Sequence, residues 1–356
     1  MTPLRLCTIV GARPQLVKAA AVSAAFADWN LTGGRPIDER IVHTGQHYDD
    51  SMSGVFFRQL GIPEPAVNLN INGSSLSAMT AAMLAALADE FARWRPDVVL
   101  LYGDTTSTLA ATIAAEQARL PIAHVEAGPR MGNRDHPEEF NRIVADHAAA
   151  WLFCPSEAAA ANLRLEAVTG EIVVSGDVML DAVRRFRPLA PPFPVPAGFV
   201  LATLHRPQNA DDPARLAALI SGLGGLGRPV LLPCHPRTRK ALSNLAAPVP
   251  VNVTVCDPLD YLSLLGALDQ CAFVVTDSGG LPKEAFFFGR RSLTVSTESP
   301  WPELLTLDAT RVVAADPDAL AAAAAWAERR LDKALPRPFG DGHAGRTIAH
   351  RLAAIA

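Results

Sequence analysis

Short runs of Val, Ile, Leu and Phe recur along the chain, separated by longer Ala- and Leu-rich stretches. The runs occupy residues 4–10, 39–44, 97–102, 121–125, 151–154 and 171–175. After a gap they resume at residues 199–204, 229–233, 251–256, 272–276, 292–295 and 312–314. Their apolar character is mostly continuous rather than alternating, as required of strands covered by helices on both faces. Helical periodicity marks the intervening residues 77–95, 141–150 and 213–223. A parallel pair needs a long crossover, and a helix between successive strands supplies it. The expected class is therefore α/β, with two doubly wound, Rossmann-like domains.

Residues 187–198 read RPLAPPFPVPAG. Proline removes a backbone donor and excludes helix, so this stretch is expected to link the domains. Six strand-like runs precede it and six follow. The expected organisation is a first Rossmann-like domain over 1–186, the linker 187–198 and a second over 199–340. A last helix, 341–356, is expected to pack back on the first domain. A cleft between the domains would be lined from both. The Ala-rich stretch 317–331, with Asp316 as N-cap and Pro317 at the first helical position, is expected to be a plain helix.

Composition narrows the class. In a chain of 356 residues, 49% hydrophobic and 19% charged, there is ample apolar surface for two cores, which excludes a disordered chain. The formal charge of −4 provides no basic field for nucleic acid or an anionic membrane. The apolar run at residues 4–10 is too short for a secretion signal or a membrane span, and no later segment suits one. Cys7, Cys154, Cys234, Cys256 and Cys271 are dispersed, odd in number and without a CxxC pair. Buried thiols of a cytoplasmic-type protein are expected rather than disulfides or zinc ligands.

In doubly wound sheets ligands bind beyond the carboxyl ends of the strands, so the residues after each run carry the functional information. In the first half these are Gly11-Ala12-Arg13-Pro14-Gln15 with Lys18, His43-Thr44-Gly45-Gln46-His47, Gly103-Asp104-Thr105 and Glu126-Ala127-Gly128-Pro129-Arg130. In the second they are His205-Arg206-Pro207-Gln208-Asn209, His235-Pro236-Arg237-Thr238-Arg239, Asp257-Pro258 and Asp277-Ser278-Gly279-Gly280. Polar and ionisable residues gather at one end of both expected sheets.

The last of these motifs, followed by Lys283-Glu284-Ala285, has the order strand, glycine turn, helix start. Such a turn offers backbone N–H groups and a helix dipole to a phosphate; the alternative is an ordinary helix capped by Ser278. Arg13 and Lys18 either neutralise a diphosphate or face solvent. His205 and Arg206 add positive charge and a titratable group. Asp104 and Glu126 end expected strands, where a carboxylate is costly unless it is paired or faces a cleft. Glu138, after Pro137 at an expected helix start, is either a third member of this set or a dipole-compensating residue paired with Arg142. Residues 222–227 fit GxGxxG but follow a helix and precede a strand, the wrong order for a dinucleotide turn. His124, inside a strand run, reads as a packed or helper histidine, and His147 as structural.

In order along nearly the whole chain, GARPQ with Lys18, HTGQH, YGDT-ST, HVEAG-R, PEE-NR, LHR-QN, CHPRTR, DSGG--KEA and FGDG-A resemble the motifs of the non-hydrolysing UDP-N-acetylglucosamine 2-epimerase family. GARPQ, FFRQLGIP, GDVMLDA, PCHPRTR and KEAFFFG are most similar to a subgroup acting on UDP-2,3-diacetamido-2,3-dideoxy-glucuronic acid. The resemblance implies a glycosyltransferase-B-like fold, a homodimer, and chemistry without NAD or an obligatory metal. It implies removal of UDP from C1 and a proton from C2 to give a glycal, then re-addition with the opposite C2 configuration. On that basis Asp104, Glu126 and Glu138 are the acid–base candidates. Arg13, Lys18 and His205 would stabilise departing UDP, with His205 counted in the catalytic set. Ser278, Gly279 and Gly280 would cradle phosphate and Glu284 would bind ribose. Gln46 and Arg206 are further substrate-binding candidates, and an activator site near Gln46 and His47 stays open.

The chain departs from the family pattern at Pro129 before Arg130, at Pro207-Gln208 and at Pro282, where Gln is usual. Ser296-Thr297-Glu298-Ser299-Pro300 replaces an Arg-Asp pair followed by Thr-Glu. Ser cannot replace a bidentate cation, so the sugar is expected to differ from the commonest substrate in its C3 or C6 substituents. The alternatives are a hydrolysing epimerase releasing UDP and free sugar, a glycosyltransferase on the same fold, and a non-catalytic nucleotide-sugar sensor.

Overall fold

The computed structural model describes residues 2–46, 54–73, 75–234, 236–332 and 334–355. It divides into two compact units, Met1–Arg185 with Arg337–Ala356, and Phe186–Pro336.

The first unit runs β1 (Leu4–Val10), α1 (Arg13–Asn30), β2 (Ile37–His43), α2 (Gly54–Leu60), β3 (Val67–Asn68), α3 (Leu76–Trp94), β4 (Val98–Tyr102) and α4 (Thr106–Gln117). It continues through β5 (Ile122–Val125), α5 (Pro137–Ala148), β6 (Trp151–Cys154), α6 (Glu157–Leu165), β7 (Glu171–Val174) and α7 (Val178–Phe186). The strands form one parallel sheet in the order β3-β2-β1-β4-β5-β6-β7. This is seven strands where six runs were expected. The seventh, β3, is two residues long, Val67 beside Val42 and Asn68 beside His43, too short and too polar to leave an apolar run. β4 is buried at every position, which explains its continuous VVLLY. Ser75, Thr105 and Ser156 cap α3, α4 and α6 through their hydroxyls.

The second unit begins with a short 3₁₀ turn, Arg187–Leu189, and runs β8 (Val200–Thr203), α8 (Pro207–Ala210), α9 (Pro213–Gly224), β9 (Val230–Pro233), α10 (Pro236–Ser243) and β10 (Val253–Cys256). It ends with α11 (Tyr261–Gln270), β11 (Phe273–Thr276), α12 (Leu281–Phe287), β12 (Ser292–Val295), α13 (Pro302–Thr306), β13 (Thr310–Val313) and α14 (Pro317–Ala327). Its parallel sheet has the order β10-β9-β8-β11-β12-β13. Asp316 caps α14 by accepting from the Ala319 amide. Residues 222–227 form the end of α9 and its exit loop, with Gly227 at φ +66°.

The proline-rich stretch packs on the second unit. Phe193 meets Phe199 at a tilt of 42° with ring centroids 6.0 Å apart, and a Cβ on Gly266 would lie 2.3 Å from the Pro191 carbonyl oxygen. The chain then returns to the first unit before α15 (Ala344–Ala353). The Asp177 amide donates to the Phe339 carbonyl at 2.9 Å, so residues 337–340 pack with the first unit rather than ending the second. Asp181 of α7 accepts from the Ala344 and Gly345 amides and so satisfies the open N-terminus of α15. Trp29 meets His350 edge-on, fixing α15 on α1.

All five cysteines are free, and burial pushes the Cys7, Cys154 and Cys271 thiols up to about 12, so they remain protonated core residues. Among the described residues no helix is long and apolar enough to cross a membrane.

Candidate active site

Each sheet reverses its strand order once, between β1 and β4 in the first unit and between β8 and β11 in the second. Such reversals open a crevice beyond the strand ends. The motifs collect there.

In the first unit, Gln15 ties the two strand ends together. Its Oε1 accepts from the Gly11 and Ala12 amides, and its Nε2 donates to the Tyr102 carbonyl and to Thr108 Oγ1. Gly11 admits no side chain, because a Cβ would sit 2.0 Å from Thr44 Oγ1 and 2.3 Å from Ser107 Oγ. The Lys18 ammonium, one turn further into α1, lies 2.5 Å from Glu126 Oε1. Glu126 itself has φ +68°, a left-handed conformation that costs a residue with a Cβ about 1–2 kcal/mol. The Phe153 carbonyl holds it there by accepting from both the Glu126 and Ala127 amides at 3.1 Å. Backbone strain held by its surroundings is a feature of functional sites.

Helix α5 supplies the supports. Its buried residues are Ala145 and four polar ones, Glu139, Asn141, Arg142 and Asp146, while Phe140 is 53% exposed. Arg142 ion-pairs with the Asp104 carboxylate and with Glu139. Burial opposes the charge on Arg142, but these two carboxylates hold its pKa above the ordinary value. Asn141 donates to the Asp104 carbonyl at 2.8 Å. Glu139 accepts from the Met131 and Gly132 amides, fixing the loop before the helix. Asp146 accepts from His124 Nδ1, from the Gly128 amide and from Arg130. Burial would raise the Asp146 pKa, but the His124 and Arg130 contacts outweigh it and hold it below the usual range.

In the second unit the carboxylate at the strand end is Asp277. It is buried, and accepts from the His205 and Arg206 amides, from Asn209 Nδ2 and from His205 Nδ1. These bonds outweigh its desolvation and lower its pKa. They also orient the exposed His205 ring through Nδ1, leaving Nε2 on the far edge. Beside them the Ser278-Gly279-Gly280 turn is open. A Cβ on Gly280 would meet nothing within 4 Å, and one on Gly279 only the Arg206 guanidinium at 3.9 Å. Trp301 supports this turn from below, its indole donating to the Gly279 carbonyl at 2.6 Å and its ring lying 3.6 Å from the Lys283 ammonium.

A family model described as UDP-N-acetylglucosamine 2-epimerase matches residues 30–353. The chain is 41% identical to the UDP-2,3-diacetamido-2,3-dideoxy-D-glucuronate 2-epimerase of Pseudomonas aeruginosa, over 99% of this chain and 100% of that protein. This chain belongs to the UDP-N-acetylglucosamine 2-epimerase family. It is 31% identical to the UDP-N-acetylglucosamine 2-epimerase of Methanocaldococcus jannaschii, over 98% of this chain and 99% of the relative. The crystal structure of the M. jannaschii UDP-GlcNAc 2-epimerase in complex with UDP-GlcNAc and UDP matches with a TM-score of 0.90 at 30% identity, over 98% of this chain and 99% of that one. That of the Neisseria meningitidis UDP-GlcNAc 2-epimerase bound to UDP-GlcNAc matches at 0.86 and 25% identity, over 98% and 99%. The chain is thus a UDP-sugar 2-epimerase of glycosyltransferase-B-like architecture.

Several expected contacts fall differently in this epimerase. Arg142 pairs with Asp104 and Glu139, not with Glu138. Glu138 is exposed and makes no hydrogen bond or ion pair among the described residues, because its neighbour Glu139 occupies the buried face. Ser278 does not cap α12; the N-cap is Gly280, and Ser278 Oγ instead accepts from the Gly280 amide at 3.3 Å. Gln46 turns its carboxamide oxygen to the Ser107 amide and hydroxyl. Arg13 opens α1, half-buried, and Glu284 is buried in the first turn of α12. His47 and His235 lie outside the described residues. Sequence reasoning missed Glu139, Asn141, Asp146 and Trp301 as supports. The signal was present in α5, where the polar residues 139, 142 and 146 share one helical face.

Proposed function

We propose that the chain inverts C2 of a UDP-linked 2-acetamido sugar without net hydrolysis. A carboxylate takes the C2 proton, the C1–O bond to UDP breaks with its electron pair leaving on the diphosphate, and a C1=C2 glycal results. Delivery of a proton to the other face of C2 and return of the UDP oxygen to C1 completes the inversion. Asp104, Glu126 and Glu138 serve as the acid–base set. Arg13, Lys18, His205 and Arg206 neutralise the departing diphosphate, Ser278, Gly279 and Gly280 cradle phosphate, Glu284 holds ribose, and Gln46 lines the substrate site. The observation that carries this reading is that Asp104 and Glu126 follow the adjacent strands β4 and β5, beside the switch point, and each carboxylate meets a basic side chain, Arg142 or Lys18.

The proposed sugar is of the UDP-2,3-diacetamido-uronic acid class. Its support is the 41% full-length identity to the P. aeruginosa enzyme against 31% to the M. jannaschii one, together with Ser296 in place of a family arginine. Relatives acting on nucleotide sugars and five free thiols favour a cytoplasmic enzyme, and the family resemblance favours a homodimer. The test is phosphorus NMR of the enzyme with UDP-N-acetylglucosamine and with the diacetamido uronic acid analogue. A second sugar-nucleotide diphosphate signal, with no free UDP and faster appearance from the analogue, is expected. Accumulating UDP would instead identify a hydrolysing epimerase.

A further inference from the structure

His124 and Asp146 make a buried link beneath both carboxylate-bearing turns. His124, in β5 and wholly buried, places Nε2 2.7 Å from the Gly103 carbonyl oxygen and Nδ1 2.7 Å from Asp146 Oδ1. The carbonyl only accepts, so Nε2 carries hydrogen. Arg130 donates to the other Asp146 oxygen at 2.7 Å and is itself held by Glu166 through two parallel bonds of 2.7 and 2.8 Å. A carboxylate so paired accepts from Nδ1, and both ring nitrogens donate. The same Asp146 Oδ2 takes the Gly128 amide at 3.1 Å.

The consequence is geometric. Peptide units are planar, so fixing the Gly103 oxygen fixes the amide and Cα of Asp104. Fixing the Gly128 amide closes the turn that begins at Glu126 in its left-handed conformation. Gly103 turns at φ +60°, which glycine adopts freely, whereas Glu126 at φ +68° is the turn residue that needs its surroundings to hold it. We propose that His124 and Asp146 are positioning residues for catalysis, one link that sets the Asp104 and Glu126 turns relative to each other while touching no substrate. This inference rests on the epimerase reading given above.

The test compares His124→Asn with His124→Gln, since the Asn amide falls near the Nδ1 position and the Gln amide near Nε2. Both are assayed for kcat, KM and UDP affinity with whichever of the two UDP-sugars the wild-type enzyme turns over. A displacement of about 1 Å at a reacting group costs on the order of 100-fold, so His124→Asn, which loses the Gly103 bond, is expected to lower kcat by about that factor. KM and UDP affinity are expected to stay within about threefold, as for an interaction realised only in the transition state. His124→Gln, retaining a donor to Gly103, should recover much of the loss. Equal kcat losses in the two variants, or a kcat for His124→Asn near the wild-type value, would overturn the proposal while leaving the epimerase reading intact. Absence of wild-type turnover would overturn the reading itself. If the variants fail to fold, ring nitrogen NMR of the wild-type enzyme decides: two slowly exchanging His124 N–H signals are required, and a single one contradicts the link.

Discussion

The Lys18 ammonium and the Glu126 carboxylate, 108 residues apart in the chain, meet at 2.5 Å with side chains only 7% and 14% exposed. The pair joins the first turns of α1 to the end of β5 and places a cation beside one of the carboxylates proposed for acid–base chemistry. Removing one partner of a nearly buried pair strands the other charge. Lys18→Met is therefore expected to lower stability by about 3 kcal/mol, while Lys18→Met with Glu126→Gln recovers most of that loss. Urea unfolding of the two variants and of Glu126→Gln closes the cycle. A double variant no more stable than Lys18→Met would refute the pairing.

Asp277 organises the second unit's strand end through one carboxylate. Its pKa is depressed in the folded state, so its contribution to stability is present above the ordinary Asp value of about 4 and is lost as pH falls through the lower folded value. Asp277→Asn puts an amide against the His205 and Arg206 N–H groups. It should cost about 2–3 kcal/mol at neutral pH and flatten the stability curve below about pH 4. Asp146 has the same sign of shift and will keep part of the slope. Thermal melts across that range provide the check; an unchanged slope contradicts the assignment.

Trp301, directly after residues 296–300, supports the Gly279 turn. Trp301→Phe keeps a ring over Lys283 and removes the N–H bond to the Gly279 carbonyl. The expected result is UDP binding weaker by about five- to tenfold, corresponding to about 1 kcal/mol for one hydrogen bond. Calorimetric titration with UDP measures it. Unaltered affinity would show that the turn does not depend on Trp301.

Gly11 is constrained by two hydroxyls rather than by its backbone. Gly11→Ala should destabilise the first unit by about 1–3 kcal/mol through overpacking against Thr44 and Ser107. Adding Ser107→Ala should relieve only part of it, because Thr44 Oγ1 is the nearer clash. Urea midpoints for the single and double variants test this.

The strand runs and the polar and glycine turns after them were legible because they depend on local pattern: continuous apolar runs, then polar residues. β3 was not, since a two-residue edge strand is defined by pairing with β2 and not by its own composition. The second unit ends at residue 336 rather than 340 for a similar reason; long-range contacts such as the Phe339 carbonyl's bond to the Asp177 amide bring residues 337–340 to the first unit. In the site, Asp104, Glu126 and His205 stood out as ionisable groups at strand ends. Glu139, Arg142 and Asp146 did not, because a helix that buries charge and exposes Phe140 inverts the rule by which faces are assigned. Their burial becomes understandable only when Asp104, Arg130 and His124 are placed against them.

In the proposed reaction a carboxylate removes the C2 proton while UDP departs and returns. Turnover of the UDP-2,3-diacetamido uronic acid in D2O, followed by proton NMR at C2 of the recovered UDP-sugars, tests it most directly. The C2 proton signal is expected to disappear from the newly formed epimer, with the sugar still joined to UDP. An epimer recovered with its C2 hydrogen intact would contradict it.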